Sequence, residues 1–167
     1  EKERCDMMFV QKNSTEIIVI DREIKVVGLS LQKSGLPISF ASLGKLWDIY
    51  GETYRGSVKN AETPVVEYAV CLNKIPDYIA GCGVTEIDKV EKDCLSFIIP
   101  LGKYIKDTFN AETFEQLTGE VMGKRNVKAW AKKNKVNING QFTIEVYPRE
   151  DFEKDNFQMY TLTPVKE

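Results

Sequence analysis

One order of elements is written twice in this chain, and that repetition constrains the fold more than any single motif does. Glu16 to Leu31, EIIVIDREIKVVGLSL, is rich in β-branched residues and reads as one strand bent near Asp21. KSGLP then turns the chain at Gly35 and Pro37. Ser39 stands as the cap of a helix on which Phe40, Leu43, Trp47, Tyr50 and Tyr54 recur at steps of three and four. Past the polar link GSVKNAETP, the runs VVEYAVCL (65–72) and YIAGCGVTEI (78–87) flank NKIPD, a turn with Asn73, Pro76 and Asp77, and predict a hairpin. Gly81 and Gly83 in the second run mark a close backbone approach or a bulge.

The same order returns. CLSFIIPLGKYI (94–105) reads as a strand whose Pro100 and Gly102 suit an edge or a bend. Thr113 and Gln116 have capping-box spacing, and Phe114, Leu117, Val121, Val127, Trp130 and Ala131 supply a helical stripe interrupted near Gly123. FTIEVY and FQMYTLTP are two further strands. Corresponding starts lie 71 (Ile24 to Leu95), 74 (Phe40 to Phe114), 77 (Val65 to Phe142) and 79 residues (Tyr78 to Phe157) apart, a growth that small loop insertions in a duplicated unit would produce. The expectation is an α+β fold: a duplicated strand-helix-strand-strand unit, with antiparallel sheet covered on one face by two helices and a central cleft between the repeats. The repeats would span about 16–91 and 92–167 of a single domain, after an N-terminal extension of residues 1–15.

What the chain lacks narrows its chemistry. It has no histidine, which removes Ser-His-Asp and Cys-His catalysis, the common zinc sites and a His-ligated haem. Cys5, Cys71, Cys82 and Cys94 form no CxxC pair and read as reduced thiols, and no cofactor or metal is expected. No apolar run reaches the ~18 residues of a membrane span, and EKERCDMMFVQKNST has no secretory pattern, so a cytoplasmic location is expected. A net charge of -2 argues against broad nucleic-acid binding, and the basic stretch of Lys124, Arg125, Lys128, Lys132, Lys133 and Lys135 reads as a solvated helix face.

One acid stands out. In GQFTIEVYPRE, Phe142, Ile144 and Val146 share one strand face, while Thr143, Glu145 and Tyr147 share the other. That second face is either an ordinary wet surface or the lining of a cavity.

Together, REIKVVGLS, PDYIAGCGV, IPLGKYIKDTF, Trp130, FTIEVY and MYTLTPV, in this order and spacing, resemble the GyrI-like effector-binding domain over roughly residues 16–165. That family includes ligand-sensing domains of multidrug-responsive and AraC-type bacterial transcription regulators and stand-alone proteins. The resemblance implies a pocket for lipophilic, often cationic aromatic compounds, with a glutamate in the penultimate strand as counter-charge. Glu145 matches that glutamate, and Tyr147 and Tyr160 match aromatic pocket positions. Trp47, Tyr50, Tyr68 and Trp130 are candidates by element. The helix stripe and Trp130 also have a simpler reading as core. Fifteen residues ahead of the domain are too few for a helix-turn-helix, so no DNA-binding module and no direct nucleic-acid contact are expected from this chain, which works alone or comes from a longer regulator.

Two rival functions follow. A histidine-free hydrolase of reactive electrophiles would use Glu145 as general base with Tyr147 or Tyr160 as proton donor. A protein-binding module would resemble the gyrase inhibitor from which the family takes its name.

Overall fold

The β-branched runs that open the two halves pair with each other, each bent through a corner rather than straight. The computed structural model describes residues 11–111, 127–150 and 157–167. In it the first run is divided at Asp21–Glu23 into β1 (Gln11–Ile20) and β2 (Ile24–Ser30). The second is divided at Pro100–Leu101 into β5 (Cys94–Ile99) and β6 (Gly102–Ala111). The expected single strands are thereby corrected to two each. β1 pairs antiparallel with β6 and β2 with β5, so Ile20 faces Gly102 on one side of the corner and Ile24 faces Ile99 on the other. Gly102 takes the corner at φ 139°, a conformation costly for a residue with a Cβ.

The hairpin forms where expected, as β3 (Val66–Leu72) and β4 (Asp77–Val84), and β7 (Phe142–Pro148) and β8 (Phe157–Pro164) close the chain. All eight strands make one antiparallel sheet in the order β1-β6-β8-β7-β3-β4-β2-β5. The order is symmetric about the central β7·β3 pair. Short corners join strands near opposite ends of this order, β1 to β2 and β5 to β6, and this is possible because the sheet curls. The Phe97 ring on β5 lies 5.3 Å from the Phe142 ring on β7, four strands away. In a flat sheet the same separation would be roughly 19 Å.

Curling buries one sheet face against itself. Val26, Tyr68, Val70, Ile79, Ile99, Tyr104, Phe142, Ile144, Val146 and Leu162 form this concave core. Close approach is needed inside it: a Cβ at Gly81 would overlap the Val27 carbonyl, which gives the glycine expected to mark a close contact its reason.

The opposite face carries the helices. α1 (Phe40–Thr53) begins at Ser39, whose Oγ accepts from the Ser42 backbone N–H at 3.4 Å. It buries Leu46 and Tyr50, half-buries Leu43 and Trp47, and leaves Phe40 exposed. Phe40 is thus a first-turn residue outside the packed stripe. α1 packs with Leu29, Ala69, Tyr78, Ala80, Phe109, Tyr147 and Met159. α2 (Val127–Lys133) packs Val127, Trp130 and Ala131 over Ile105, and exposes Lys128, Lys132 and Lys133. The expected cap at Thr113, the stripe residues Phe114, Leu117 and Val121, and the basic Lys124 and Arg125 lie outside the described residues. Cys82 and Cys94 are buried thiols.

Candidate functional site

The register of the central strands decides what surrounds Glu145. On β3 and β7, Ala69 faces Glu145, Glu67 faces Tyr147 and Cys71 faces Thr143, and β4 adds Cys82, Ala80 and Tyr78 to the same rows. All of these project toward the helices. Glu145 therefore sits on neither a wet face nor the concave core: it is 2% exposed, beneath α1.

Its described partners are phenols. The Tyr147 hydroxyl donates to Glu145 Oε2 at 3.0 Å, and the Tyr78 hydroxyl stands at a longer 3.4 Å. Trp47 Nε1 donates to the Tyr78 oxygen at 2.9 Å. The Trp47 ring meets Tyr147 edge-on at 5.8 Å, so Tyr147, Tyr78 and Trp47 form one aromatic cluster at the carboxylate, and Tyr50 extends it from Trp47, edge-on at 5.7 Å, toward Arg55. Burial first, then the Glu145 charge and Tyr147, hold the Tyr78 phenol well above 10, so it keeps its proton as a donor. A carboxylate taken this far from water loses hydration worth several kcal/mol, which polar donors offset in part.

A second buried acid lies one row away. Glu67, also 2% exposed, receives Arg55 in a two-pronged contact at 2.8 and 3.0 Å, and Arg149 at 3.4 Å. Arg55 follows α1 and lies 5.5 Å over the Tyr50 ring, so this ion cluster ties the helix end to the central strands. Sequence reasoning passed over Glu67, although VVEYAVCL sets one acid among apolar residues as FTIEVY does.

A third, Asp107, is 1% exposed on β6 and accepts from Thr15 Oγ1 at 2.5 Å. The register aligns Thr15, Asp107, Thr161 and Glu145 in one row across β1, β6, β8 and β7. This polar row divides the helix face, with Phe109, Met159 and Tyr147 in the α1 cluster on one side and Ile105 in the α2 cluster on the other.

The candidates from sequence do not all gather here. Glu145, Tyr147, Trp47 and Tyr50 come together, and Tyr78, which had no sequence signal beyond its hairpin position, joins them. Tyr160 is opposite Val146, and Tyr68 opposite Val146 from the other side, so both face the concave core and not Glu145. Lys106 Nζ covers the Tyr160 ring at 4.4 Å there. Trp130 belongs to the α2 cluster. One cavity of about 280 Å³ shares Tyr50 and Tyr54 at the far side of α1. Another, of about 400 Å³ beside α2, is lined by Thr143 and Thr163, the same-face neighbours of Glu145 and Thr161. Among the described residues no group of three or more acids and cysteines is placed to hold a metal ion, and no helix is long and apolar enough to cross a membrane.

An eight-stranded antiparallel sheet with helices on one face defines a GyrI-like effector-binding fold. Solved structures share it. The chain is similar to an integron cassette protein from the mobile metagenome of Vibrio cholerae, at 16% identity and TM-score 0.62, over 96% of this chain and 100% of that one. It is similar to the C-terminal domain of EcmrR at 15% identity and TM-score 0.66, over 96% and 99%. It is also similar to SAV2435 bound to tetraphenylphosphonium, at 12% identity and TM-score 0.59, over 92% and 94%. No curated protein matches its sequence. The family model described as integron-associated effector binding protein, Cass2, matches residues 10–161, and the chain belongs to that family.

Proposed function

We propose that this protein binds lipophilic, cationic aromatic small molecules between α1 and the sheet, with Glu145 as counter-charge, and acts as a sensor or sequestering module. The observation that carries the proposal is a buried carboxylate held by the phenols of Tyr78 and Tyr147, which Trp47 joins and Tyr50 extends. Each aromatic face adds roughly 0.5–2 kcal/mol to a nearby desolvated cation while placing little demand on its shape. A dense array of hydrogen bonds would select one ligand; this cluster favours a class. The tetraphenylphosphonium complex of a protein with the same fold supports that class.

Binding fits the cluster better than hydrolysis does. Of the two proton donors that hydrolysis would use, Tyr160 faces the concave core away from Glu145, and Tyr147 donates its hydroxyl to the carboxylate itself. The test is a fluorescence-polarisation titration of rhodamine 6G, a lipophilic cation, beside a neutral dye of similar size. Saturable binding of the cation at micromolar concentration is expected, with the neutral dye weaker by about tenfold or more. Equal binding of both dyes, or of neither, contradicts the proposal.

A further inference from the structure

Resting on the reading of Glu145 as a counter-charge, we propose that the site takes dications: molecules with two positive groups roughly 10 Å apart, the second held by Asp107. One polar row on the helix face carries both acids, and β8 lies between them, so two strand spacings set that separation. Both carboxyl groups are buried on the helix-covered face, at 2% and 1% exposure. Thr161, between them in register and 1% exposed, has a hydroxyl Oγ1 with no hydrogen-bond partner.

That hydroxyl is the independent sign of an occupant. A buried hydroxyl without a partner is costly, and such groups in a native fold are uncommon unless a ligand or water completes them. Here it stands midway between the two acids, where the midsection of a ligand spanning them would meet it with a hydrogen-bonding group or a carried water. The cavity of about 400 Å³ is lined by Thr163 and Thr143, the next residues on the same face, and so opens one row away. The row also separates the apolar clusters under α1 and α2, so a linker lying along it keeps apolar walls on both sides. A single cation needs Glu145 alone; the second buried acid in line with it selects for charge at both ends.

The test is calorimetric titration of α,ω-bis(trimethylammonium) alkanes of increasing chain length, each beside the singly charged alkyltrimethylammonium of equal length, at low ionic strength. The dication is expected to bind at least about tenfold more tightly where its nitrogens stand roughly 10 Å apart, and to lose that advantage at the shortest chain. In Asp107→Asn, which keeps an acceptor for Thr15, the ratio of dication to monocation affinity should fall to about one. Equal binding of the two series by the wild type at every length overturns the inference without any variant, as does a dication advantage that survives Asp107→Asn. Monocation binding that Glu145→Gln weakens, with no dication advantage, overturns this inference alone; absence of binding by both series overturns the Glu145 reading with it.

Discussion

Two glutamates on adjacent central strands are buried to the same degree and held by different chemistry. Arg55 and Arg149 clasp Glu67, while Tyr147 and Tyr78 approach Glu145. The first arrangement fixes structure, since removing one partner of a buried pair leaves the others desolvated without compensation. Glu67→Gln is expected to lower stability by about 2–3 kcal/mol, less than a fully buried pair because both arginines are more than a third exposed. Urea unfolding with an unchanged m-value checks it. Tyr147→Phe removes one hydrogen bond and keeps the ring, so it should cost about 1–2 kcal/mol of stability yet leave the aromatic wall of the site in place. Period-two alternation made Glu145 and Tyr147 legible as same-face neighbours. The same rule could not place Tyr160 or Tyr68, because a face is shared between strands only once their register is known, and register is a long-range property.

At the scale of elements, the helix at Phe40–Thr53 and the hairpin at β3–β4 were readable because their signals are local: a serine cap, a three-four stripe, a turn between alternating runs. The corners were harder. Asp21–Glu23 contains neither glycine nor proline and sits between β-branched residues, so the run reads as one strand bent near Asp21, and its division shows only when its two parts are seen to pair with different strands. Pro100 and Gly102 flagged the matching corner. Two glycines test this account. Gly81→Ala drives a methyl into the Val27 carbonyl at the centre of the β2·β4 pair, whereas Gly102→Ala meets nothing within 4 Å and suffers only from its positive φ. Gly81→Ala should cost about 3 kcal/mol or more and Gly102→Ala about 1–2, measured by the shift of the urea midpoint.

At the scale of the molecule, the sheet buries both faces, one under helices and one within its own curl. Composition and periodicity pointed to the helix-covered face. They carried no sign of the curl, which follows from two corners closing strands at opposite ends of one sheet. A consequence is the state of the tyrosines. Burial raises the phenols of Tyr50, Tyr68, Tyr78, Tyr104 and Tyr160 above the ordinary 10.0, that of Tyr104 to about 12. The fold keeps these protons where the unfolded chain releases them, so their contribution is complete below pH 10 and is lost as pH rises from 10 through 12 and beyond. Phenolate absorbance from these five residues should therefore appear together with loss of the far-ultraviolet circular dichroism signal; phenolate formation in an intact fold would contradict their burial.

The most direct measurement is the calorimetric affinity of tetraphenylphosphonium and of a neutral triphenylphosphine oxide for the wild type and for Glu145→Gln. The substitution should weaken the cation about 30- to 100-fold, as loss of a desolvated charge partner does, and change the neutral compound by less than about threefold. If both ligands lose affinity equally, or neither changes, Glu145 is not the counter-charge and the central claim fails.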